Sequence, residues 1–159
     1  MIVIGSGPKC FCSGFDLKMW AENPLNSLIS LMMTQKVLAR ILELGIPSMA
    51  VFNGHAIAGG VFIGLACDRI IMKNDPKLQI CCNELTFGKA IPYAYVRFVK
   101  DTTSARLGRT LLIGTKLTPE EAKRLDLIQD LYDNDKDLEN KIHQFAKERA
   151  IIGEHRDNY

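Results

Sequence analysis

The residue types that chemistry needs gather in a few places along the chain. Asn53-Gly54-His55-Ala56-Ile57-Ala58-Gly59-Gly60 is the most informative of them. The apolar run before it, Met49-Ala50-Val51-Phe52, reads as a buried strand, and Asn53-Gly54 as a turn. Residues 61–66 read as a helix entered through paired glycines. Glycines that follow a strand and open a helix present backbone N–H groups at the positive end of the helix dipole. Such a place can hold a phosphate or the oxyanion of a carbonyl, or serve close packing alone. A second glycine turn, Phe11-Cys12-Ser13-Gly14-Phe15-Asp16-Leu17-Lys18, also follows a strand. Glu84 stands in Asn83-Glu84-Leu85-Thr86-Phe87-Gly88, close to Cys81 and Cys82. Partial burial there would raise its pKa and make it a competent base; a loop glutamate open to water is the alternative.

A phosphate site has its own test. Ile2-Val3-Ile4-Gly5-Ser6-Gly7-Pro8 opens like the dinucleotide fingerprint G-x-G-x-x-G after a strand. The third glycine position is Cys10, whose side chain obstructs close helix–strand packing. Residues 11–14 carry turn chemistry where a helix should begin, and Glu22 follows no second strand. The nucleotide reading is therefore set aside.

Elements of alternating type must position these groups. Residues 1–4, 49–52, 69–72, 78–82 and 127–132 read as strands, mostly apolar. Asn23-Pro24 is a helix cap followed by proline at the first helical position. Leu28, Leu31, Met32, Leu38, Ile41 and Leu42 then form a stripe of helical period, closed by Gly45 and Pro47. Residues 93–99 and 104–113 read as helices, and Thr118-Pro119-Glu120-Glu121 as a capping box. Leu138, Ile142, Phe145 and Ala146 give a last helix its apolar face. Together these predict one α/β domain over residues 1–159 with buried, largely parallel strands. A strand starting at residue 1, and polar residues 148–159 without a closing element, lead us to expect further sequence beyond these ends.

Bulk composition narrows the partners. A net charge of +2 leaves no nucleic-acid footprint, and 47% hydrophobic content is that of a globular domain. No run is long and apolar enough for a membrane span, and no signal-peptide pattern opens the chain. The spacings of the five cysteines, C-x-C and C-C around single Cys67, are not those of a zinc knuckle. They read as reduced thiols in an intracellular compartment, with no metal expected. His55 and Asp68 are expected to make structural hydrogen bonds, and Glu120, Glu121 and residues 133–139 to form a solvated face.

Residues 11–18, 53–68 and 84–92, in this order, resemble the crotonase (enoyl-CoA hydratase/isomerase) superfamily, with weaker similarity over 107–129. The resemblance implies a crotonase-like ββα spiral core, truncated at both ends, with N-terminal strands and C-terminal trimerisation helices missing or reduced. It implies an oxyanion hole made by the backbone N–H groups of Phe15 and Gly59, which would hold the thioester oxygen of an acyl-CoA. Phe15, Asp16 and Lys18 become CoA contacts, a solvated role for Lys18 being the alternative. The family's hydratases use two glutamates, and the first of these positions is Phe62 here. A phenylalanine moves no proton, and adding water across a double bond takes an acid and a base on the same water. The second position matches Glu84, in a stretch particularly similar to the Δ3,Δ2-enoyl-CoA isomerases, although small insertions disturb the spacing on both sides.

The resemblance thus implies an enzyme that shifts a double bond from the 3 to the 2 position of an enoyl-CoA, with Glu84 as base. Acyl-CoA would be the substrate, with no cofactor and no metal. It also implies a homotrimer or hexamer in the mitochondrial or peroxisomal matrix, although residues 157–159 are not a peroxisomal tripeptide. Two alternatives stay open. One is a non-catalytic subunit of a larger assembly that keeps only the fold. The other is a different reaction of the same family, hydration or thioester hydrolysis.

Overall fold

A computed structural model describes residues 1–153 of the chain. In chain order the elements are β1 (Ile2–Ile4), β2 (Cys10–Cys12), α1 (Leu17–Glu22), α2 (Pro24–Leu42), β3 (Met49–Phe52) and β4 (His55–Ile57). They continue with α3 (Gly59–Leu65), β5 (Arg69–Lys73), β6 (Ile80–Cys81), α4 (Tyr93–Thr102), α5 (Ala105–Leu112), α6 (Pro119–Arg124), β7 (Asp130–Tyr132) and α7 (Asp135–Gly153). A 3-10 turn spans Glu84–Phe87 before α4. Two sheets result, ordered β1-β3-β5-β7 and β2-β4-β6, and every strand pair in them is parallel.

Side-chain alternation along β3 explains the layers. All four of its residues are buried, as a central parallel strand requires. Ala50 and Phe52 face the larger core with Ile70, Met72 and the residues of α3. Met49 and Val51 face the other way, onto Ile71, Tyr132 and the α7 residues Leu138, Ile142 and Phe145. The first sheet is therefore covered by α7 on one side and by the site-bearing elements on the other. Ser48 and Asp68 lock its entry: Asp68 Oδ2 accepts from the Ser48 N–H at 2.7 Å and from Ser48 Oγ at 2.9 Å. The structural role expected of Asp68 is the one observed.

Several local readings need correction. Residues 10–12 and 55–57 are strands, and residues 17–22 a helix, none of which the sequence pattern had separated from the glycine turns. A three-residue strand is too short to show a period of two, and β2 is defined only by its irregular register against β4. Helix α3 starts at Gly59, earlier than expected. The cap at Asn23 is present, its side chain accepting from the Leu25 N–H at 2.9 Å. On α2, Leu38 is buried and Leu31 and Ile41 pack on the core, but Leu28, Met32 and Leu42 are half exposed. The apolar stripe is wider than the line along which α2 touches its neighbours, α1 and α3. Ala146 is exposed instead of joining the apolar face of α7. Glu121 belongs to the capping box, its Oε2 accepting from the Thr118 N–H at 2.9 Å, and is not merely a solvated charge. Helix α7 continues to Gly153, so part of the polar end is structured, while residues 154–159 lie outside the described residues.

Candidate active site

The two glycine turns meet backbone to backbone. Gly14 has a φ of +89°, and a Cβ there would come within 2.9 Å of the Ala58 Cβ and 3.4 Å of the Gly59 nitrogen. A Cβ on Gly60 would lie 2.6 Å from the Cys12 carbonyl oxygen, so only glycine lets the start of α3 rest against β2. Asp16 fixes the first turn from below by capping α1, accepting from the Lys18 N–H at 2.9 Å and the Met19 N–H at 3.3 Å. The Phe15 N–H, between Gly14 and this cap, donates to no acceptor among the described residues. Gly59 is the first residue of α3, and its N–H falls outside the helix's own hydrogen bonding.

The second turn is held under backbone strain. Ala58 adopts φ +51° and ψ −116°, a region that suits glycine. Hydrogen bonds on both sides over-determine it: the Ala58 N–H donates to the Cys81 carbonyl at 2.8 Å, and its carbonyl accepts from the Val61 N–H at 2.9 Å. Ala58→Gly is therefore expected to raise stability by about 1 kcal/mol, strain relief outweighing the extra entropy of the unfolded chain. Denaturant titration of the two proteins measures this directly. A lower midpoint for Ala58→Gly would show that the turn is unstrained.

In front of the turns lies a cavity of about 270 Å³. Phe15 and Ala58 line it from the turns, Leu31 and Phe62 from helices, and Glu84 from the 3-10 turn. Oε2 of Glu84 is buried without a hydrogen-bond partner. Burial against these apolar walls pushes the Glu84 carboxyl above the ordinary carboxylate range, opposed only by a hydrogen bond to its own backbone. Burial likewise raises the Cys82 thiol, with the nearby Glu84 charge adding to the effect. Phe62 is 3% exposed and its ring centroid lies 4.8 Å from that of Tyr95, whose hydroxyl donates to the Leu31 carbonyl at 3.0 Å. One carboxylate thus faces the cavity where a second would need the place of a core aromatic.

Phe15 and Glu84 stand in the wall of one cavity, whereas Gly59 is outside that wall, buried behind Ala58 and against Gly14. Asp16 is exposed and occupied in the helix cap, and Lys18 is exposed on α1 outside that wall. His55 Nδ1 accepts from the Gln79 N–H at 3.0 Å, as expected of a structural histidine. All five thiols are free. Sequence reasoning missed Trp20, Leu31, Ile91 and Tyr95 as cavity residues. Nothing in their sequence neighbourhoods marked them for the cavity, which segments far apart in the chain build together.

The sequence profile of the enoyl-CoA hydratase/isomerase family matches residues 1–153. The chain belongs to that family. It is 33% identical over 135 residues to enoyl-CoA delta isomerase 3 of Arabidopsis thaliana, covering 80% of this chain and 56% of the relative. It is 30% identical over 138 residues to the peroxisomal enoyl-CoA delta isomerase 2 of the same plant, covering 80% and 56%. The crystal structure of human mitochondrial delta3-delta2-enoyl-CoA isomerase superposes with a TM-score of 0.86 at 23% identity, over 98% of this chain and 61% of that one. The fold is thus the crotonase fold. Hydratase names also occur among the relatives. This family member spans about half the length of the curated relatives it matches. Among its described residues, no helix is long and apolar enough to cross a membrane.

Proposed function

We propose that this chain binds an enoyl-CoA and shifts its double bond from the 3 to the 2 position. The observation that carries the reading is Glu84, which stands in the wall of an apolar cavity beside two touching glycine turns with its Oε2 buried and unpartnered. A carboxylate in such a place is a stronger base than one in water. In the reaction Glu84 takes a proton from C2 of the 3-enoyl thioester, and the C2–H electron pair delocalises into a dienolate. The N–H groups of Phe15 and Gly59 hold the charge on the thioester oxygen, stabilising what forms and not what binds. Glu84 then returns the proton at C4, leaving the conjugated 2-enoyl thioester. No cofactor and no metal takes part in this scheme. Lys18 and Asp16 stand next to the Phe15 turn, where the CoA arm would leave, and Lys18 supplies a cation for it.

Mixing the purified chain with a 3-enoyl-CoA and following formation of the conjugated product tests the reading. Turnover with label exchange at C2 in heavy water supports it. Failure to turn over while still binding acyl-CoA would overturn it in favour of a non-catalytic crotonase-like subunit. Hydration is disfavoured because Phe62 stands at the first of the two glutamate positions, leaving Glu84 as a lone carboxylate. The half-exposed apolar residues of α2 are a surface that association would cover, in a homotrimer, a hexamer or a larger complex. The matrix of a peroxisome or a mitochondrion is the proposed site of action, a reading that the peroxisomal and mitochondrial names among the curated relatives support.

A further inference from the structure

A second cleft, of about 510 Å³, lies across the carboxyl ends of the four-stranded sheet. Ile4, Lys73 and Tyr132 are the last residues of β1, β5 and β7, Asn53 directly follows β3, and all four line it. Tyr132 and Leu138 place it on the α7 side of the sheet, and it shares no lining residue with the Glu84 cavity. Outside the carboxyl ends of the strands is where open parallel sheets bind their ligands.

One oxygen in this cleft is not explained by the fold. Tyr132 is 3% exposed, its ring part of the core that holds Met49, Val51, Ile71 and Phe145. Core packing accounts for the ring and leaves the hydroxyl without a role. That hydroxyl has no hydrogen-bond partner among the described residues, and it is not one of their two sealed, unpartnered polar atoms, Glu84 Oε2 and Trp20 Nε1. It therefore opens into the cleft that Tyr132 lines. Burial and the neighbouring Asp135 charge push the phenol up to about 12, so it stays protonated and available as a donor.

Two opposite charges share the cleft with it. Lys73 pairs with Tyr132 in the β5–β7 register and so faces the same side of the sheet, and Asp135 opens α7. Neither side chain makes an ion pair or hydrogen bond among the described residues. Asp133 is engaged already, its Oδ1 accepting from Asn74 Nδ2 at 2.8 Å. We propose that this cleft binds a small zwitterion of the α-amino acid class with an apolar side chain. Its carboxylate accepts from the Tyr132 hydroxyl and the Lys73 ammonium, and its own ammonium pairs with Asp135. The side chain rests on Leu138 and on Ile4, which is 49% exposed. A molecule of about ten non-hydrogen atoms fits the volume. A lone anion would meet Asp135, a lone amine would meet Lys73, and a neutral polyol would use neither charge fully. The site is independent of the isomerase reading.

The test titrates the isotope-labelled whole chain with L-leucine by heteronuclear NMR. The controls are 4-methylpentanoate, which lacks only the ammonium, 3-methylbutylamine, which lacks only the carboxylate, and D-glucose as a neutral polyol. L-Leucine is expected to bind with a Kd on the order of 1 mM or below and to shift the amides of residues 5–7 and 133–136. Each control is expected to bind at least about tenfold more weakly. Tyr132→Phe, which removes an oxygen the fold does not bond, is expected to weaken L-leucine about tenfold and to keep the rest of the spectrum. The proposal is overturned if L-leucine does not bind, if its shifts fall elsewhere, or if any control binds as tightly. It is also overturned if Tyr132→Phe binds L-leucine as well as the unaltered chain does. Should that variant fail to fold, the four ligands on the unaltered chain decide alone.

Discussion

Glu84→Gln is expected to lower the rate of double-bond migration by about 10²–10⁴-fold while acyl-CoA affinity changes little. Glutamine fills the same volume and leaves the two glycine turns in place, so in the proposed reaction the backbone amides would still receive the thioester oxygen and only proton transfer would be lost. The pH dependence follows from the same carboxyl. Burial holds its pKa above the ordinary 4.5, and the base works only when ionised. Activity of the unaltered chain therefore falls as pH drops through that raised value. Stability moves in the opposite sense. Between the ordinary and the raised pKa, folded protein holds a proton that unfolded protein has released, so stability decreases as pH rises through this window. Above it the full penalty of a buried charge is present. Glu84→Gln carries no such penalty, and it is expected to melt higher than the unaltered chain at neutral pH, with the difference vanishing below the ordinary carboxylate pKa. Stopped-flow product formation and melting curves at several pH values check both halves. Unchanged turnover would remove Glu84 from the mechanism.

What the sequence revealed, and what it hid, follows from the range of the interactions involved. The caps at Asn23 and Thr118 act within a few residues and were legible, as was the partial burial of Glu84, which has Cys82 close to it in sequence and in the fold. Strands β2 and β4 were not, because each is three residues long and exists through pairing between segments far apart in the chain. Trp20 was invisible for the same reason. Nothing in Leu17-Lys18-Met19-Trp20 marks it, and its place in the cavity arises only when Leu31, Tyr95 and Ile91 arrive from elsewhere. The stripe on α2 shows the converse. Periodicity told which side of the helix is apolar but could not tell how much of that side the rest of the chain would cover.

Phe62→Glu is expected to destabilise the fold by more than about 3–5 kcal/mol without conferring hydration of a 2-enoyl-CoA. The ring it removes is buried, packs on Tyr95, and belongs to the core that contains Val61 and Ala66. Deleting a phenylalanine from such a place costs about 3–5 kcal/mol by itself. The incoming carboxylate gains no ready partner, since the neighbouring Tyr95 hydroxyl already donates to the Leu31 carbonyl. It would also face Glu84 across an apolar cavity, and two carboxylates in one such space do not both ionise easily. Their coupling would push protons onto one of them and weaken the base that is there. Phe62→Leu separates the contributions: it keeps the site apolar and is expected to lose much less than Phe62→Glu, with Glu84 untouched. Urea midpoints for the two variants, read with their isomerisation rates, check this. A stable Phe62→Glu protein that adds water to the double bond would show that the cavity had kept a second acid–base position all along. The packed aromatic pair of Phe62 and Tyr95 argues the reverse. It makes the site a one-carboxylate site by construction, because the volume a second carboxyl and its water would need is filled by a ring the core depends on.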